Sequence, residues 1–86
     1  MLFLAHVAGD HPDDVLASDP DGPWREVFPL APGLAFLDSD QSRSRVYHAL
    51  KDHLPSGTPL LVAELHEVPK FKGMAPGALA WARSRA

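Results

Sequence analysis

The sequence predicts a one-domain α+β protein. Three observations carry this. Two short runs, "LFLAHVA" at residues 2–8 and "PLLVAEL" at 59–65, are apolar at both alternating positions and read as strands within a sheet. One segment, "DQSRSRVYHALKDHL" at 40–54, repeats its apolar residues at helical spacing. Between them nine prolines and six glycines punctuate the chain too often for long helices. With 86 residues, 45% hydrophobic and 22% charged, the chain has the composition of a folded protein and room for one modest core.

The elements follow in order. "LFLAHVA" places Phe3, Ala5 and Val7 on one face and Leu2, Leu4 and His6 on the other, the pattern of a central strand. After it, "DDVLAS" allows one or two helical turns at most, because Pro12 suits a helix start and "DPDGP" is a run of turn residues. "WREVFPL" and "GLAFLDS" flank "APG" as a hairpin, and Pro29 confines the first of the pair to a sheet edge. In the following helix Asp40 or Ser39 is the expected cap. Val46, Ala49, Leu50 and Leu54 face the core, and Pro55 and Gly57 end the helix. "PLLVAEL" is the last strand, "HEVPKFKG" a polar loop, and "APGALAWARSRA" a short closing helix with Pro76 in its first turn.

Strand, reduced helix, strand, strand, helix, strand is the order of a ferredoxin-like βαββαβ antiparallel sheet, here with a short or missing first helix and an added C-terminal helix. "LAFLDSDQSRSRVYHALKDHLPSGTPLLVAELHEVPKFKGMAPGALAW" resembles the second half of small ferredoxin-like bacterial and phage proteins related to the CRISPR-associated small endoribonuclease and VapD groups. The resembling features are the strand Leu34–Leu37 with its polar cap Asp38–Asp40, the pair Ala49 and Leu50, the strand Leu61–Leu65, and Trp81. In nuclease members, the resemblance implies an aspartate near the end of the first strand that holds a divalent metal together with its counterpart in a second subunit. Ala8 falls at that place here. Asp10, two residues on, keeps the same parity and is the candidate catalytic residue of a metal-dependent nuclease-like alternative, with Mg²⁺ as its cofactor; otherwise no cofactor is expected.

Charge is divided along the chain. Residues 1–40 carry eight acids against one base, a net of −7, and residues 41–86 carry seven bases against three acids, a net of +4, which together give −3. Such asymmetry is neutralised within the fold or between two copies, or it steers a charged partner. The absence of cysteine excludes disulfides, thiolate zinc sites and a cysteine nucleophile. "MLFLAHVAGD" has neither the basic start of a signal peptide nor the length of a membrane span, so a cytoplasmic protein without membrane contact is expected.

Several residues are candidates for function. "AGDHPDDVLASDPDGPW" gathers five aspartates around His11, but its turn residues account for the pattern, and it lacks the glycine and distant glutamate of a calcium loop. If Val62, Glu64 and His66 share the open face of the sheet with Leu4 and His6, then His6, Glu64 and His66 meet across the first and last strands as a proton-transfer or binding cluster. Phe36 would join the apolar part of that face. Arg43, Arg45, Lys70 and Lys72 are the candidate nucleic-acid contacts. His48 and His53, five apart, do not share a helical face. The favoured reading is a non-enzymatic binding or assembly module, acting as a homodimer or with a protein partner that covers the open face.

Overall fold

The computed structural model describes residues 1–8 and 22–85. Its centre is an antiparallel sheet of β1 (Leu2–Val7), β2 (Glu26–Ala31), β3 (Leu34–Asp38) and β4 (Leu60–Leu65), in the spatial order β2-β3-β1-β4. Two helices, α1 (Arg43–Asp52) and α2 (Ala78–Arg83), complete it. Of the two strands apolar on both sides, β1 lies inside the sheet and β4 at an edge. The proline-bearing strand lies at an edge, where Pro29 coincides with a register shift between Pro29 and Ala31. Gly33, at φ 77°, turns β2 into β3, and its carbonyl accepts the Val7 N–H at 2.8 Å. The expected first helix falls within residues 9–21, outside the described residues.

The long helix begins two or three residues later than the sequence pattern indicates. Ser42 is its cap, with Oγ accepting the Arg45 N–H at 3.2 Å, and neither Asp40 nor Ser39 fills that role. Ser39 is fully buried and otherwise engaged: its hydroxyl donates to the Pro23 carbonyl and accepts the Gln41 N–H at 3.0 Å, fastening the chain before β2 to the end of β3. Pro76 precedes α2 in a turn and lies outside its first turn; Gly77, at φ 86°, is the residue before the helix.

The sheet is covered on both faces. On one side Phe3, Ala5 and Leu37 pack with Trp24 and with Val46 and Leu50 of α1. On the other, Leu2, Leu30 and Phe36 pack with Ala78 and Ala82 of α2, and Phe71, Met74 and Trp81 close over them. Phe36 is 1% exposed, with Trp81 stacked parallel at a centroid distance of 6.1 Å and Phe71 edge-on at 5.8 Å. The face expected to lie open for a partner is thus filled by the chain's own C-terminal segment. "HEVPKFKG" is polar in composition, yet Val68 and Phe71, followed by Met74, turn inward onto the sheet. No helix among the described residues is long and apolar enough to cross a membrane.

Candidate binding groove

The strand register decides the fate of the predicted polar cluster. Phe3 pairs with Glu64, Ala5 with Val62 and Val7 with Leu60, so Val62 and Glu64 share the α1 side of the sheet. His6 pairs with Leu61 and Leu34 on the opposite side. His6 and Glu64 are therefore three residues out of register, about 10 Å along the strands, and on opposite faces. The cluster of His6, Glu64 and His66 does not form. The sequence left the point open because "LLVAEL" is apolar at both parities, and a one-residue slip exchanges its faces. What remains is Glu64 Oε2 at 3.5 Å from His66 Nε2, with the His66 side chain 86% exposed and the Glu64 side chain 26% exposed. Val62 packs beneath α1 and Phe36 lies in the opposite core, so neither is a contact residue of an open face.

The candidate nucleic-acid contacts also separate. Arg43 and Arg45 lie at the start of α1, on one side of the sheet, whereas Lys70 and Lys72 belong to the C-terminal segment that covers the other. Asp10 is outside the described residues. Among the described residues there is no group of three or more His, Asp or Glu side chains able to hold a metal ion.

The structure adds to the C-terminal bases an apolar groove that the sequence does not show. Gly73 and Gly77, at φ 77° and 86°, turn the chain twice within five residues, so that residues 68–75 fold back beside α2. The strip between them is a groove of about 660 Å³. Val68, Met74 and Leu79 supply apolar lining, and Lys70, Lys72 and Arg83 stand around it. All three cations are exposed, and none makes an ion pair or side-chain hydrogen bond within the described residues. Leu79 is 43% exposed, one of few large apolar side chains left in water. The sequence groups Lys70, Lys72, Arg83 and Arg85 as one basic set; the turn at Gly77 brings Arg83 beside the two lysines, and Arg85 is drawn away.

Arg85, two residues beyond Arg83, behaves in the opposite way. Its Nη2 meets Glu26 Oε2 at 2.8 Å, its Nη1 donates to the Trp81 carbonyl at 3.0 Å, and its Nε lies 3.8 Å from Asp38 Oδ2. Asp38 also faces Arg25 at 3.4 Å and the Met1 amine at 3.5 Å. Part of the charge asymmetry is thus neutralised inside the fold, by a base of the C-terminal half against acids of the N-terminal half. Among the described residues the cations of the groove belong to the part left over, together with Arg43, Arg45 and Lys51 on the α1 side.

A larger hollow of about 890 Å³ runs beside α1, past Ser42, Arg45, His48 and Asp52. Its charged lining has both signs on exposed helical positions and converges on no point. Comparison with known proteins finds no matching family model, no matching curated protein and no matching solved structure.

Proposed function

We propose that this chain is a small non-enzymatic binding module that holds a protein partner in the groove between residues 68–75 and α2. The observation that carries the reading is the joint presence there of an exposed Leu79 and three cations without a carboxylate partner among the described residues. Elsewhere the same segment buries its apolar side chains and pairs Arg85. A photo-crosslinking residue placed at Lys72 is expected to capture a defined protein, and the same residue at Lys51, on the far side of the sheet, is not. Equal capture from both positions would remove the groove from the function.

A ferredoxin-like assignment is part of this proposal. It is supported by the antiparallel order β2-β3-β1-β4, by α1 between β3 and β4, and by the position of residues 9–21 between β1 and β2, where that fold has its first helix. Kinship with the CRISPR-associated small endoribonuclease and VapD groups is proposed on the pattern of residues 34–82 alone. It brings no reaction with it, because Ala8 stands where the nuclease members carry an aspartate.

A second reading, self-association, is favoured by one observation. β4 is an edge strand of six residues with neither proline nor lysine, and its Leu61 is 53% exposed, whereas the other edge, β2, carries Pro29 and a register shift. Antiparallel pairing of two β4 edges would give a homodimer. Sedimentation should then show a dimer that Leu61→Lys dissociates; a monomer at micromolar concentration removes this reading and leaves the groove untouched.

A further inference from the structure

Two of the groove's features bear on the chemistry of its occupant. First, the aromatic rings nearby already pack within the fold. Phe71 sets its edge to Phe36, and Trp81 has Phe36 stacked at 6.1 Å and the Arg85 guanidinium carbon at 4.1 Å. Single-stranded nucleic acid is held by stacking bases on successive free aromatic rings along a basic track, whereas the ring that lines this groove, Phe71, is half-buried and already in a T-shaped contact with Phe36. The basic track is also short: Arg43 and Arg45 lie across the sheet, and the chain as a whole carries −3, which repels a long polyanion. Second, the apolar lining is mainly aliphatic, with Val68, Met74 and Leu79 beside Phe71, and Lys70, Lys72 and Arg83 line the same groove. Carboxylates on the rim and an aliphatic side chain on the floor satisfy both.

From this we propose that the groove takes a short acidic peptide segment with an aliphatic anchor. Its carboxylates meet Lys70, Lys72 and Arg83, and its leucine- or isoleucine-like side chain rests on Leu79 and Met74. The inference rests on the binding-module reading and specifies its partner. Attraction at the exposed rim steers the peptide and is weakened by salt, while the anchor fixes its position.

The test is fluorescence anisotropy on the whole chain with three probes: a labelled peptide of Asp and Glu around two central leucines, the same peptide with serines for the leucines, and a labelled oligouridylate. Lys70→Glu with Lys72→Glu is expected to weaken the first peptide by about tenfold or more, equivalent to roughly 1.4 kcal/mol. Both side chains are exposed, so the variant keeps its circular dichroism and melting temperature. Leu79→Ser, or serine in the peptide, is expected to weaken binding by severalfold without altering its salt dependence. Tighter binding of oligouridylate than of the peptide, lost on the same charge reversal, overturns the peptide inference and leaves the groove as a binding surface. Binding of every probe unchanged by the charge reversal overturns both the inference and the groove.

Discussion

Arg85 Nη2 lies 2.8 Å from Glu26 Oε2, joining residues 59 apart in the chain across the edge of the C-terminal layer. The same guanidinium covers Trp81 at 4.1 Å and bonds its carbonyl, so one side chain holds the end of α2 against β2. Glu26 is half exposed and the ion pair by itself is worth little; the cation–π contact and the partly buried fork add to it. Arg85→Ala is expected to lower unfolding free energy by about 1–2 kcal/mol in urea titration. Arg85→Lys should recover less than half, since a point charge cannot serve Glu26, the Trp81 carbonyl and the ring together. Full recovery by lysine would show that charge alone matters.

The C-terminal layer makes a second contrast. Trp81 stacks on Phe36 and lies 5.5 Å from Phe28, while Leu79, two residues away on the same helix, is 43% exposed. Trp81→Ala is expected to cost about 3–5 kcal/mol, a large share of the roughly 5–15 kcal/mol typical of a domain. Leu79→Ala should cost under about 1 kcal/mol. Guanidinium denaturation of both variants reads the difference, and binding of a hydrophobic dye to the Trp81 variant reads the uncovering of Phe36. Similar costs at the two positions would contradict the described helix orientation.

These contrasts also mark what the sequence makes legible. Strand and helix order followed from periodicity, and Pro29 at an edge followed from its missing N–H. The faces of β4 did not, because Leu60, Leu61, Val62, Ala63 and Leu65 satisfy either parity. Their choice is set by the pairing of Leu60 with Val7 and by the Ala8 N–H bond to the Pro59 carbonyl at 3.1 Å, a tertiary relation. The second layer was hidden for a similar reason. Val68, Phe71 and Met74 recur every third residue in a segment that is neither strand nor helix, so no periodic template marks them as core. The candidate site inherited both gaps: it placed the polar cluster on a face that does not exist and passed over the groove formed by the same segment.

The cap of α1 separates two alternatives by mutation. The structure uses Ser42, whereas the local pattern favours Asp40 or Ser39. Ser42→Ala is expected to cost about 1 kcal/mol and Ser42→Asp to retain most of the stability, because aspartate is an equally good cap and offsets Arg43 and Arg45 in the first turn. Asp40→Ala should cost less than Ser42→Ala, since Asp40 is exposed and, among the described residues, its carboxylate meets Gln41 and, at 3.7 Å, Arg25. Ser39→Ala acts differently. It removes two hydrogen bonds from a buried position and is expected to cost about 1–3 kcal/mol while leaving helix content unchanged. Amide exchange across residues 43–46 distinguishes fraying of the first turn from a general loss of stability.

The last prediction concerns chemistry. General acid–base work requires a group positioned within hydrogen-bond reach of the proton it moves. The contact of Glu64 with His66 has its histidine 86% exposed, and His6 lies on the other face. The binding-module reading therefore expects that RNA and DNA incubated with the protein and Mg²⁺ stay intact, and that Asp10→Asn, Glu64→Gln and the unaltered chain give the same cleavage as buffer. Gel resolution of end-labelled substrates checks this. Cleavage that Asp10→Asn abolishes would restore the metal-dependent alternative. Cleavage lost only in Glu64→Gln would instead place chemistry at the end of β4, next to Arg85 and the Met1 amine, which share a hollow of about 260 Å³ with Glu64 and His66.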